Sequence, residues 1–207
     1  MSKAFCVGIV VAVTLLVTFP AAGEEEGWEH ARSTGGVEVY TRHVPGSTFK
    51  QFRATGVVPA PLAKVVSWWR DPTTFTQWVN SCVEARRVEV GESGVASYLK
   101  FDFPFPASDR DVVLRAVEIE ADAKRVVMES RSLDGVVPEV AGLVRMPMML
   151  GRWEFTALDS ASTGVVYRQH MDAGGRLPAF VVNRATVDNP IGTLLGLARF
   201  AEAQQGR

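Results

Sequence analysis

The stretch PAFVVNRATVDNPIGTLLGLARFAEAQ, from Pro178 to Gln204, decides the architecture. Its apolar residues at 180, 181, 187, 191, 194, 195 and 198 recur with a helical period, so the chain ends in one long helix with an apolar stripe. Pro190 lies inside that stripe and predicts a kink, because it removes a backbone donor and crowds the preceding turn. Gly192 and Gly196 keep the helix thin beyond it.

What precedes the helix is a run of strands. Val83–Val90, Val95–Phe103, Asp111–Glu120, Arg125–Ser132, Gly142–Pro147, Arg152–Leu158 and Val165–Ala173 are each rich in strand formers, and Gly, Asp, Ser or Pro separates them. In Val95–Phe103, positions 95, 97, 99, 101 and 103 alternate with Ala96, Tyr98, Lys100 and Asp102, which predicts one dry and one wet face. Further upstream, Val37–Val44 and Phe49–Val57 flank the turn Pro45-Gly46-Ser47 and read as a hairpin. Pro61 opens a helix with Leu62, Val65, Val66 and Trp69 on one face, and Asp71-Pro72 caps a second, short helix toward Trp78. The order is hairpin, two helices, antiparallel meander, terminal helix. An antiparallel sheet must cover its dry face, and the long helix is the natural cover, giving an α+β grip. A sheet that curves around one helix without filling the space between leaves an apolar hollow, the default place for a ligand.

The N-terminus reads as an export signal. Lys3 precedes an uncharged apolar run from Ala4 to Phe19, and Pro20-Ala21-Ala22-Gly23 supplies small residues for cleavage before Glu24-Glu25-Glu26. Residues 1–23 are therefore expected to be removed, with residues 24–207 forming one domain in an exported compartment, expected to be the periplasm. The competing reading, an uncleaved anchor, needs a span of about 20 residues, and the run is shorter. Cleavage leaves Cys82 as the only cysteine, so no intramolecular disulfide is expected and Cys82 reads as a packing residue. A net charge of −1 gives no basic excess for nucleic acid, and a monomer with at most transient membrane contact is expected.

The chemistry-bearing residues are few. Val113, Arg115, Val117 and Ile119 share one face of a strand, which places a cation among apolar residues. Arg115 then anchors a ligand's polar group, forms a structural ion pair, or reaches solvent past the strand. Trp153 and Phe155 alternate with Arg152, Glu154 and Thr156 and are expected to face inward, lining a cavity or filling a core, as are Leu99 and Phe101. Arg110 and Asp111 are expected to fix the loop and the start of their strand. His170 shares a face with Arg168 and Asp172, opposite Val165, Tyr167, Gln169 and Met171, and reads as part of a solvated surface. Three scattered histidines and no C-x-x-C or H-x-x-x-H spacing predict no metal site, and no nucleophile elbow or phosphate loop is present, so neither a cofactor nor a catalytic residue is expected.

Several segments together resemble the START lipid-transfer family in its bacterial form. They are Arg70-Asp71-Pro72 with Gln77-Trp78, Phe103-Pro-Phe-Pro106 followed by Asp109-Arg110-Asp111 and Arg115, Gly142-Leu-Val-Arg145 with Gly151-Arg-Trp153-Glu-Phe155, and Leu177-Pro178 to Asn183 with Pro190. The resemblance spans nearly the whole mature chain. It implies a helix-grip, START-like fold: a curved antiparallel sheet wrapped around the long C-terminal helix and enclosing an apolar cavity. It implies binding or transfer of a lipid or other hydrophobic small molecule without catalysis. Arg115, Leu99, Phe101, Val113, Val117, Trp153, Phe155 and Phe180 are the residues expected at that ligand. In well-studied animal members a buried arginine on the corresponding strand pairs with an acid on the preceding strand; here the Arg110–Arg115 spacing is one residue shorter and Ser97, near the place of the acid, is not acidic. Two other readings use the same elements: a helix-grip enzyme of cyclase or hydrolase type, which needs an acid or base pointing into the hollow, and an interaction module whose groove takes a partner helix.

Overall fold

The structure, a computed structural model, describes residues 27–90, 95–103, 105 and 107–206. The expected export signal and two prolines of the expected loop, Pro104 and Pro106, lie outside them. Among the described residues the chain runs β1 (Glu29–Thr34), β2 (Val37–Arg42), β3 (Gln51–Val58), α1 (Leu62–Trp69), a 3-10 turn (Pro72–Gln77), β4 (Cys82–Glu89), β5 (Val95–Phe101), β6 (Arg110–Ala121), β7 (Arg125–Ser132), β8 (Val144–Arg145), β9 (Met148–Ala157), β10 (Thr163–Asp172) and α2 (Ala179–Gln205). All ten strands join one curved sheet in the order β1-β2-β3-β10-β9-β7-β6-β5-β4, antiparallel except where β8 pairs with β6. Helix α2 closes over β2 and β3, and α1 stands over β9. The expected α+β grip is thus the observed fold.

The differences from expectation have local causes. Strand β1 was not expected: EHARST has no apolar alternation, and every residue of it is exposed at the sheet edge. The strand expected over Gly142–Pro147 shortens to Val144–Arg145. Helix α2 continues through Pro190 as one element, and its buried line runs through Val182, Thr186, Leu194, Leu197 and Ala201. Phe180, expected at the ligand, is instead 74% exposed. The expected Ile191 and Leu194 are buried, and two threonines widen the buried face beyond the expected stripe. The Thr186 hydroxyl donates to the Val182 carbonyl at 2.9 Å, and the Thr193 hydroxyl accepts the Asn80 N–H at 3.2 Å. Satisfied in this way, both hydroxyls can be buried at little cost, so polarity does not mark the outside of this helix.

The β5 reading also needs correction. Leu99 and Phe101 are buried on the concave side with Cys82, Val112, Met146, Met149 and Met171. Ala96 and Tyr98, on the face expected to be wet, are buried too, with Val113 beneath Val88, Val90, Leu133, Val136 and Val137. The segment after β7 folds back over the convex face and dries it there. Elsewhere that face is held by charge. Glu154 on β9 accepts from Arg125 Nη2 at 2.6 Å and Arg152 Nε at 3.1 Å, with Arg168 Nη1 at 3.4 Å, tying β7, β9 and β10 together.

Helix α2 can seat where it does because of its glycines. A Cβ at Gly196 would stand 2.3 Å from the Trp78 carbonyl oxygen, and one at Gly192 would meet the Asn80 side chain at 2.5 Å. The helix therefore rests backbone to backbone on the turn that ends the 3-10 segment. Gly196→Ala gains about 1 kcal/mol of helix propensity, but the clash is with main chain, and overpacking of that kind costs about 1–3 kcal/mol. We expect a net loss of about 1 kcal/mol, read as a thermal midpoint lowered by about 2–4 °C. An equal or higher midpoint would show that the helix does not sit this close.

Candidate ligand-binding cavity

Between the concave face of β5, β6, β7, β9 and β10 and the cover of α1, the 3-10 turn and α2 lies a cavity of about 320 Å³. Its wall is an aromatic layer. Trp153 of β9 stacks on Tyr167 of β10, its register partner, with centroids 3.7 Å apart and planes 15° off parallel. Trp78 meets Trp153 edge to face at 6.1 Å, and Trp69 does so at 6.4 Å. The amphipathic spacing that turns Trp69 inward from α1 and the cap at Asp71 that starts the 3-10 turn, where its carboxylate accepts the Thr73 N–H, thus deliver two of the three indoles.

The deep polar groups are neutral and mutually engaged. The Tyr167 hydroxyl donates to Gln169 Oε1, and Gln169 Nε2 donates to Met171 Sδ at 3.3 Å. Full burial pushes the Tyr167 phenol well above its ordinary range, so it stays protonated. The formal charges on the lining are Arg70, Arg87 and Glu118, all exposed and gathered at one end beside Val95 and Val117. That end is the mouth. Cys82, buried in the cluster that holds Leu99 and Phe101, has its thiol pushed up to about 11, first by burial, and no cluster of metal-ligating side chains occurs among the described residues.

Of the residues expected at a ligand, Leu99, Phe101, Val117 and Trp153 line this cavity. Phe155 is fully buried in the core behind Trp153, stacked on it at 5.9 Å. Val113 and Arg115 are placed differently from the expectation. Leu114 and Ala116 line the cavity, so by the two-residue period their neighbours point to the convex face. There Val113 is buried under the folded-back segment, and Arg115 sits directly across from Arg131. The ambiguity was built into β6, which is apolar on both faces. Arg110 and Asp111 do fix the start of the strand. Arg110, 2% exposed, reaches the Ser108 and Ala173 carbonyls and lies 4.6 Å over the Phe103 ring. Asp111 accepts from Arg145 Nε at 2.8 Å and Nη2 at 3.0 Å. Sequence reasoning passed over Gln169, Arg70 and Arg87. A glutamine on the dry face of β10 was a signal for the first, while the rim arginines follow from a long-range approach of α1 and β4 that no local pattern carries.

A curved antiparallel sheet that grips a long C-terminal helix around a hydrophobic hollow defines the class of helix-grip ligand-binding domains. A family model described as START domain matches residues 16–189, and the chain belongs to that family. The chain is 28% identical over 194 residues to an uncharacterized protein of Pseudomonas aeruginosa, covering 93% of this chain and 96% of the relative. A STAR-related lipid transfer protein fragment from Xanthomonas axonopodis superposes with a TM-score of 0.77 at 28% identity, over 86% of this chain and 99% of that one. The Zhui aromatase/cyclase of a Streptomyces species shares the fold at a TM-score of 0.52 and 19% identity, over 73% of this chain and 93% of that one. The fold is compatible with binding a hydrophobic ligand.

The Asp111–Arg145 pair gives a stability prediction. Both side chains are buried, at 1% and 9% exposure. Burial works against the Asp111 charge, but the Arg145 hydrogen bonds and the Tyr98 hydroxyl outweigh it and hold the carboxyl below its ordinary range. A depressed folded pKa means that the stabilisation is present above the unfolded aspartate value and is lost as pH falls through the folded one. Asp111→Asn strands a buried guanidinium and should cost about 3–5 kcal/mol at neutral pH. The variant should also lose less stability than the wild type on acidification. Urea titrations at neutral and acid pH check both; a deficit that does not shrink on acidification would mean the carboxylate charge is not what stabilises.

Proposed function

We propose that the mature chain is an exported, non-catalytic carrier or sensor that holds one hydrophobic, lipid-like molecule in the cavity behind Trp69, Trp78 and Trp153. The observation that carries this reading is the make-up of the cavity. Its depth is aromatic and aliphatic, its inner polar side chains are neutral, with Tyr167 and Gln169 hydrogen-bonded to each other, and its charges stand at the mouth. Transfer of an apolar body into such a space gains about 25 cal/mol for each Å² removed from water. A volume of 320 Å³ lies at the low end of ordinary ligand sites, which favours a single-chain or compact ligand. An enzyme would need an acid or base poised near neutrality inside. The acid on the lining, Glu118, is at the rim and paired with Arg70, and burial keeps the Tyr167 phenol protonated. The expected export signal supplies the compartment.

The test is recovery and blockage. Protein purified from its own host and opened by organic extraction should release a hydrophobic molecule, detected by native mass spectrometry, and should take it up again unchanged. Leu114→Trp fills the space from β6 and should lower affinity for that molecule at least about tenfold with the fold retained. Recovery of a chemically altered molecule after incubation would select the cyclase-type reading instead. N-terminal sequencing of the host protein should begin near Glu24; a sequence beginning at Met1 or Ser2 would remove the export part of the proposal.

A further inference from the structure

The mouth of the cavity says more about the ligand than its depth does. Arg70 and Arg87 flank the opening from two separate elements. Arg70 is the C-cap of α1, where the helix end favours a cation, and its guanidinium pairs with Glu118 of β6. Arg87 reaches across from β4 to the Arg70 carbonyl at 3.4 Å and to Asp71 Oδ1 at 3.8 Å. Asp71 is already committed, because its Oδ1 accepts the Thr73 N–H at 3.2 Å and the Thr73 hydroxyl at 2.9 Å. Glu118 has no such tie to its own backbone. It is 39% exposed and holds Arg70, itself 52% exposed, in a surface pair of the kind worth little net energy. Val95, 56% exposed and on the face of β5 that holds Leu99, forms an apolar collar beside the two guanidiniums.

Building on the cavity reading above, we infer that the ligand is an amphiphile with one anionic head group, its apolar body inside and its carboxylate or phosphate at the mouth on Arg70 and Arg87. The ligand's oxyanion takes the place of the Glu118 carboxylate on Arg70, so one weak surface pair is exchanged for a fork of charged hydrogen bonds. A neutral hydroxyl head leaves the Arg70–Glu118 pair intact and accepts at most an ordinary hydrogen bond from a guanidinium, without the charge pairing. A cationic head meets like charge. The first methylenes below the head lie against Val95.

Three probes with the same chain separate the contributions: dodecanoate, dodecyl phosphate and dodecanol, each titrated against the tryptophan fluorescence of the full mature protein. Arg70→Gln and Arg87→Gln should each weaken the two anions by about three- to tenfold, the discount from a buried pair reflecting their exposure. Dodecanol should be unmoved. Glu118→Gln, which frees Arg70, should tighten both anions and leave dodecanol alone. The difference should shrink at high salt. A residue that merely clips α1 to β6 would change all three probes together. Equal responses of acid and alcohol, or none, overturn the head-group assignment while leaving the cavity occupied. Dodecanoate bound more tightly than dodecyl phosphate marks the carboxylate as the head, and the reverse order marks the phosphate. If acetate or inorganic phosphate alone competes as well as the amphiphiles, the rim binds free anions and the assignment fails. If the wild type binds none of the three chains, the cavity reading itself falls, and this inference with it.

Discussion

The close seating of α2 on the Trp78–Asn80 turn is the constraint on which the rest of the molecule depends. Gly196 lets a helix backbone lie directly against the Trp78 carbonyl, and Thr193 then fixes the contact through Asn80. The middle of α2 is thereby pinned to the turn after the 3-10 segment while its flank covers β2 and β3. A single helix held there covers part of the concave face. The remaining part, under β5, β6 and β7, is reached by side chains from α1 and the 3-10 turn but is not filled. The cavity is the geometric remainder of a sheet too wide for its one helix.

The wall of that remainder is stiff for a reason that is also local. Trp153 and Tyr167 face each other across adjacent strands, and such cross-strand aromatic pairs contribute about 0.2–1 kcal/mol each. Trp69, Trp78 and Phe155 then brace the pair from behind and above. On the other side of the sheet, the Glu154 network and the Asp111–Arg145 pair hold the strands in register without drawing on the interior. Among the described residues the lining carries its formal charges at the rim, and its deeper polarity is that of neutral groups such as Gln169 and Ser130.

Much of this was legible in the sequence, and what was not has a physical explanation. The strands, the two short helices and the long terminal helix follow from period and turn chemistry, and they fix the fold class. Leu99, Phe101 and Trp153 were legible as inward residues because their strands alternate cleanly against charge. Arg115 was not, because β6 is apolar on both faces and the cover that dries its convex side comes from residues 133–137, well along the chain. The full width of the buried face of α2 was hidden by Thr186 and Thr193, whose hydroxyls are satisfied by backbone partners. Arg70 and Arg87 sit on different elements and meet only when the C-terminal end of α1 is brought up to β4 and β6. Alternation reads which side chains share a face; it cannot read which face another part of the chain will bury.

Cys82 has a practical consequence. It is 6% exposed, its thiol donates to the Glu84 carbonyl at 3.5 Å, and its pKa of about 11 leaves almost no thiolate at neutral pH. Residues 24–207 contain no other sulfhydryl. The fold of the described residues is therefore indifferent to the redox poise of its surroundings, with nothing to cross-link and nothing readily oxidised to a sulfenic acid. The same property makes it a natural host for site-specific probes. A single cysteine introduced at the collar, at Val95 for instance, can carry a spin label or a dye without the native thiol competing.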